Sequence, residues 1–134
     1  MSVFHLTSDE VLTVTEYACD DMRVAVRDAG LLESAAHRPS ASAFGEEVYP
    51  DVFGKAGALL QALAINHPFV DGNKRTAWLS CVTFLALNGE RLRPDIDAAE
   101  ELVIAVATGE LDDARLIGER LRLLRDTGGA HSGM

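Results

Sequence analysis

One ten-residue segment of the sequence concentrates side chains that could do chemistry together. Residues 67–76 read His-Pro-Phe-Val-Asp-Gly-Asn-Lys-Arg-Thr. The imidazole of His67 can take up a proton near neutral pH, and Asp71 offers the hard oxygen ligand that Mg²⁺ prefers. The segment therefore predicts a site where a base and a metal ligand lie close together.

The same segment has the features of a phosphate site. Gly72 permits a turn that exposes backbone N–H groups, and a helix beginning near Asn73 would point its free N–H groups and positive dipole end the same way. Lys74 and Arg75 stand where the helix dipole disfavours cations, so a purely structural role explains them poorly. Asp71 and Asn73 could also cap this helix. Phosphate, metal and base together predict group transfer from a nucleotide to a hydroxyl.

The charge distribution sets this segment apart from the rest of the chain. The sequence has 12 basic and 21 acidic residues, a net charge of −9. Residues 67–89 hold one acid and two bases, whereas residues 1–66 hold 10 acids and 4 bases and residues 90–134 hold 10 and 6. A net charge this negative argues against direct nucleic-acid binding, which needs cations to neutralise phosphates.

The elements that must position these side chains are predicted to be helices. A capping box at residues 7–10 begins a first helix that runs to about Asp20. A second helix is predicted over residues 31–38 and ends before Pro39. Asp51 caps a third helix, whose apolar stripe ends at Asn66.

Three further helices complete an all-α prediction of about six helices. Residues 76–87 are apolar on nearly every side, which predicts that their helix is the buried centre of the bundle. Asp97 begins a fifth helix that ends near Gly109, and Asp112 begins a last one that ends at about Arg125.

The chain length suits one domain, predicted over residues 1–126, with a small, polar and flexible tail at residues 127–134. The connection at residues 39–50, before the third helix, contains two prolines and a glycine. It predicts a long ordered connection with a short hairpin around Gly45, and such connections are often functional.

Several other classes are excluded. The stretch without charged residues at 76–89 is too short and polar to span a membrane, and the first residues lack the features of an export signal. Cys19 and Cys81 are too few for a disulfide framework and predict reduced, buried thiols. The four histidines are scattered, which argues against structural zinc. We therefore expect a cytoplasmic protein.

The segment His67-Pro-Phe-Val-Asp-Gly-Asn-Lys-Arg75 resembles the signature of the Fic/Doc superfamily, His-x-Phe-x-(Asp/Glu)-(Gly/Ala)-Asn-(Gly/Lys)-Arg. Lys74, where adenylylating Fic enzymes have glycine, resembles the Doc (death-on-curing) branch. Similar segments extend the resemblance over residues 4–125: residues 30–34, Tyr49-Pro50, the helix into Asn66-His67, and residues 105–110.

The resemblance implies a helical Fic-type fold and the toxin role of a type II toxin–antitoxin pair. Doc-like toxins phosphorylate a threonine of elongation factor Tu with ATP and Mg²⁺, which stops translation. Carried over by position, His67 takes the proton from the target hydroxyl and Asp71 binds Mg²⁺. Asn73 forms the anion hole with the amides of the loop around Gly72.

The resemblance also implies roles for the residues around this centre. Lys74 and Arg75 hold the phosphates, and Phe69 anchors the loop in the core. The connection at residues 39–50 corresponds to the flap that docks the target beside the loop. The self-inhibitory Ser/Thr-x-x-x-Glu-(Gly/Asn) helix of some Fic proteins is not found, so a separate antitoxin, acting through its C-terminal helix, is the implied inhibitor.

One departure bears on the reaction. Fic adenylyltransferases usually carry a second Arg three places after the motif Arg, and this sequence has Trp78 there. Lys74 and Trp78 favour phosphate transfer over the alternative of AMP transfer to a protein hydroxyl. A second alternative, a non-catalytic helical module that binds a partner, is disfavoured by the intact His67, Asp71 and Arg75.

Overall fold

Acidic or hydroxyl side chains cap five of the six helices in the described residues. The computed structural model describes residues 2–18 and 25–126. In these residues it has six α-helices, a 3₁₀ turn at Arg38–Ser40 and a two-stranded hairpin, β1 (Ser42–Ala43) and β2 (Glu46–Glu47). The helices are α1 (Ser8–Ala18), α2 (Ala29–His37), α3 (Val52–Asn66), α4 (Asn73–Leu87), α5 (Ile96–Ala107) and α6 (Ala114–Leu123). The predicted all-α bundle is confirmed.

The predicted helix starts are confirmed for three helices (α1, α3 and α4) and displaced for the other three. The Thr7 hydroxyl accepts from the Glu10 N–H and the Glu10 carboxylate accepts from the Thr7 N–H, which is the reciprocal capping box. Asp51 caps α3 by accepting from the Phe53 N–H. The starts of α2, α5 and α6 were predicted wrongly, at Leu31, Asp97 and Asp112. The caps in the structure are Asp28, Asp95 and Asp113.

These displacements have one physical reason. An N-cap needs extended backbone together with a side chain that reaches an N–H two or three residues ahead. Asp95 meets both conditions and accepts from the Ala98 N–H at 2.6 Å, whereas Asp97 already lies inside α5. Residues 19–24 and 127–134 are outside the described residues. The predictions for the end of α1 at Asp20, for Cys19 and for the tail fall in these two ranges.

The central helix of the bundle is α3, so the prediction that α4 is the most buried helix was wrong. Eleven of the fifteen residues of α3 are buried, against seven of the fifteen in α4. A close approach to α6 explains this. A Cβ atom added to Gly57 would lie 2.2 Å from the Ala114 carbonyl oxygen, and one added to Gly118 would lie 2.5 Å from the Phe53 carbonyl oxygen. Only glycines allow these two helices to pack this closely.

The predicted hairpin around Gly45 is present, with Phe44 and Gly45 at its tip, both at positive φ. A buried lysine anchors its base to the start of α3. Lys55 is fully buried, and its Nζ donates to the Glu47 carboxylate at 2.7 Å, the Tyr49 carbonyl at 2.6 Å and the Pro39 carbonyl at 3.4 Å. The hydrogen bond from Lys55 Nζ lowers the pKa of the Glu47 carboxyl. A buried ammonium is tolerated here because each N–H has a partner.

Two other predictions concern the chain as a whole. Cys81 is buried and free, as expected, and burial raises the pKa of its thiol. None of the helices in residues 2–18 and 25–126 combines the length and apolar character that crossing a bilayer requires.

Candidate functional site

The motif loop begins where α3 ends. His67 is the C-terminal cap of α3 and has left-handed backbone angles, φ 51° and ψ 59°. This conformation is uncommon for residues other than glycine, although histidine adopts it more often than most, and it turns the chain out of the helix. Pro68, which cannot continue the helix, follows at once.

Arg27 holds this strained helix end in place. Its Nε donates to the His67 carbonyl at 2.7 Å and its Nη2 donates to the Asn66 carbonyl at 2.8 Å. A guanidinium at the carbonyl end of a helix satisfies acceptors that have no partner within the helix, and its charge complements the negative dipole end. Sequence reasoning missed Arg27 because it lies 40 residues from His67 and belongs to no local pattern.

A short antiparallel bridge joins the loop to the segment at residues 25–28. Val26 pairs with Phe69, the Arg27 N–H donates to the Pro68 carbonyl at 2.7 Å, and the Val70 N–H donates to the Ala25 carbonyl at 3.0 Å. The loop therefore has an extended segment running along one side.

The flap was predicted at residues 39–50, but the segment that pairs with the motif loop is a different one. The connection at residues 39–50 is present before α3, but it accepts hydrogen bonds from Lys55 and, through the Val48 carbonyl, from Arg115. Lys55 lies 11 residues before Asn66 on α3, which is about 16 Å along the helix axis. Among the described residues, the segment at 25–28 lies beside the motif loop, because long-range strand pairing holds it there.

The Asn73 side chain stabilises the conformation of the motif loop through hydrogen bonds to its backbone. Its Oδ1 accepts from the Phe69 N–H at 3.0 Å, and its Nδ2 donates to the Phe69 carbonyl at 2.9 Å and lies 3.4 Å from His67 Nδ1. Asn73 is buried, and Phe69 is 1% exposed within the main hydrophobic core. The side-chain amide predicted to form the anion hole is thus engaged with the loop backbone and the imidazole.

The start of α4 completes the site. Gly72 is its N-cap, at φ 79°, and no side chain in the described chain caps the helix. The N–H groups of a first helical turn have no partner within the helix. Asp71 accepts from the Gly72 N–H at 2.7 Å and so stabilises the turn without reaching the helix.

These elements surround a cavity of about 400 Å³, the motif cavity, which the six predicted contact residues and Val70 line. The six residues are His67, Asp71, Gly72, Asn73, Lys74 and Arg75. Lys74 and Arg75 are exposed, and Arg75 also donates to the Ala18 carbonyl at 3.3 Å. Two cations and a helix N-terminus around one opening favour a phosphorylated ligand.

The donor set also fits Mg²⁺ bound together with phosphates. Within residues 2–18 and 25–126 no three His, Cys, Asp or Glu side chains converge as a metal-binding group. Mg²⁺ commonly binds one or two carboxylates and takes its other ligands from substrate phosphates and water. Asp71, exposed at the edge of the motif cavity, meets this requirement.

Comparison with known proteins agrees with the motif and the fold. The Fic/DOC family matches residues 5–85. The Toxin Doc of Mycolicibacterium smegmatis is 47% identical over 110 residues, which are 81% of this chain and 84% of that protein. The Protein kinase doc of Escherichia phage P1 is 37% identical over 84 residues, which are 63% of this chain and 65% of that protein.

Proposed function

Since the chain belongs to the Fic/DOC family, as a Doc-branch toxin, we propose that it transfers the γ-phosphate of ATP to a protein hydroxyl. A threonine of elongation factor Tu is the proposed acceptor, and arrest of translation is the proposed outcome. The observation that carries the proposal is the motif cavity, where the exposed His67 faces the same space as Lys74 and Arg75.

Each side chain of the motif cavity has a proposed task. Mg²⁺ and ATP, when bound, supply a γ-phosphoryl group whose charge the metal partly neutralises. His67 takes the proton from the acceptor hydroxyl, which makes the oxygen a better nucleophile. Lys74, Arg75 and the free N–H groups of α4 hold the phosphate oxygens, and Asp71 is the protein ligand of the metal.

The residues beside the motif support phosphate rather than AMP transfer. AMP transfer requires room for two further phosphates beyond the α-phosphate, and Lys74 fills part of that space with a long side chain. Trp78 stands one turn along α4, where a second cation would orient those phosphates in an adenylyltransferase. Its indole is uncharged, so it cannot take the place of that cation. The ring is partly buried against the core and lines a neighbouring cavity.

The proposal predicts the origin of a transferred label. Purified protein, Mg²⁺ and elongation factor Tu are expected to transfer label from γ-labelled ATP and none from α-labelled ATP. Mass spectrometry is expected to show the gain of one phosphate on a threonine. Label from α-labelled ATP alone would establish AMP transfer instead, and label from neither would exclude elongation factor Tu as the acceptor.

Membership of the Doc branch implies an antitoxin partner. We propose that the C-terminal helix of the antitoxin inhibits the enzyme by docking through apolar anchors at helical spacing. No direct contact with nucleic acid is part of this proposal, in keeping with the acidic charge of the chain.

Arg27 is predicted to act as a positioning residue for His67. Arg27→Ala removes both bonds to the end of α3, and we expect the kcat of the transfer to fall about ten-fold because small displacements of a catalytic group are costly. The KM for ATP should stay nearly constant, since Arg27 does not line the motif cavity. Steady-state kinetics at 25 °C measure both quantities.

The matched control is Arg120→Ala, on the exposed side of α6. It removes the same charge far along the chain from the loop and should leave kcat unchanged. A lower free energy of unfolding in Arg27→Ala without any change in kcat would show that Arg27 only stabilises the fold.

A further inference from the structure

A second cavity, here called the α4–α5 cavity, adjoins the motif cavity and shares its two cations. Its volume is about 380 Å³. Lys74, Arg75 and Trp78 line it from α4, and one face of α5 forms the opposite wall: Ile96, Ala99, Glu100, Val103 and Ile104. Because Lys74 and Arg75 line both cavities, a ligand held by them can extend from one into the other.

The α4–α5 cavity differs from the motif cavity in chemistry. Its α5 wall is apolar apart from Glu100, whose carboxylate disfavours a phosphate but can accept a hydrogen bond from a hydroxyl or an amine. Ile96 is 84% exposed and Ile104 is 47% exposed, so two large apolar side chains are open to solvent beside a charged site. This surface suits the less polar part of a ligand whose charged part lies in the motif cavity.

Trp78 stands where the two parts of such a ligand would meet. It follows Lys74 by four residues and Arg75 by three, so the three side chains share one face of α4 within about 6 Å along its axis. Part of the indole packs against the core and part lines the cavity. An aromatic ring held in this way offers a rigid face for stacking a flat base.

We infer that the α4–α5 cavity binds the nucleoside of the nucleotide whose phosphates lie in the motif cavity, with the base stacked on Trp78. This inference rests on the proposed function, because it takes the motif cavity as the phosphate site. The joined cavities change from cationic at Lys74 and Arg75 to apolar along α5. This change matches a nucleotide, which is charged at its phosphates and much less polar at its base. Glu100 is placed to accept from a ribose hydroxyl or a base amine.

The test uses the intrinsic fluorescence of the full chain, since Trp78 is its single tryptophan. ATP with Mg²⁺ is expected to quench this fluorescence, because a stacked purine contacts the indole. Inorganic tripolyphosphate with Mg²⁺ is expected to bind, as measured by calorimetry, without quenching. The comparison needs no substitution and therefore does not depend on the folding of a variant.

Two charge-matched variants extend the test. Ile104→Glu places a carboxylate in the cavity at a half-exposed position, and we expect it to weaken ATP binding about ten-fold, in line with the loss of one base-stacking contact. Tripolyphosphate binding should change much less. Leu123→Glu, on a side chain of α6 that is 80% exposed, adds the same charge elsewhere and should bind ATP as the wild type does.

Each contrary result has a definite meaning. Equal quenching by tripolyphosphate and ATP, or equal ATP affinity in Ile104→Glu and Leu123→Glu, would overturn the nucleoside site and leave the proposed phosphate site standing. Fluorescence that responds to an antitoxin C-terminal peptide but not to bound ATP would make the cavity a partner groove and overturn the inference. Absence of binding by both ATP and tripolyphosphate would overturn the inference together with the nucleotide part of the proposed function.

Discussion

The His67→Asn variant is expected to transfer phosphate about 10²–10⁴-fold more slowly than the wild type, because the acceptor hydroxyl loses its general base. Asparagine is the suitable replacement, since His67 has left-handed backbone angles that asparagine tolerates better than other side chains with a Cβ. The free energy of unfolding should change by less than about 0.5 kcal/mol, the usual range for an exposed position. Transfer of γ-label to elongation factor Tu and urea denaturation measure the two effects.

His37→Gln is the matched control for this prediction. His37 is also exposed at the end of a helix, and its Nε2 lies 3.2 Å from a Glu33 carboxylate oxygen. It has no contact with the motif cavity, so transfer should proceed at the wild-type rate. A folded His67→Asn protein with full transfer activity and full toxicity on expression would remove His67 from the mechanism.

The Asp71→Asn variant is expected to need at least about ten-fold more Mg²⁺ for half-maximal transfer, because a neutral amide is a much poorer ligand for a hard cation. The substitution keeps an oxygen that can accept from the Gly72 N–H, so the turn before α4 should persist. Titration of Mg²⁺ at saturating ATP measures the requirement directly.

Asp112→Asn provides the control for this second prediction. Asp112 is exposed in the connection before α6 and does not line the motif cavity. The same loss of charge there should leave the Mg²⁺ profile unchanged. An unchanged profile in Asp71→Asn as well would limit Asp71 to its structural bond with the Gly72 N–H.

The two predictions depend on a loop that hydrogen bonds attach to the rest of the fold. The Asn73 side chain bonds to both the N–H and the carbonyl of Phe69, and Arg27 donates to the last carbonyls of α3. A catalytic group must be positioned closely for its chemistry to be fast. The side chains around His67 therefore contribute to the expected rate although only some of them face the motif cavity.

Features governed by local interactions could be predicted from the sequence. The capping box at Thr7 and Glu10 and the cap at Asp51 depend on residues two or three places apart, and both are confirmed. The motif residues around Gly72 also border one cavity, since they are consecutive along a turn and the first turn of a helix. Spacing determines such arrangements because the backbone geometry of a turn or a helix leaves few alternatives.

Features that depend on distant parts of the chain were decided by the tertiary structure. The even apolar distribution of α4 predicted the central helix, but α3 is central because Gly57 and Gly118 allow its close packing against α6. Arg27 and the segment at residues 25–28 lie beside the loop through strand pairing across some 40 residues. Periodicity along one helix identifies its apolar residues but not the neighbour that covers them, because that choice depends on the packing of all the helices together.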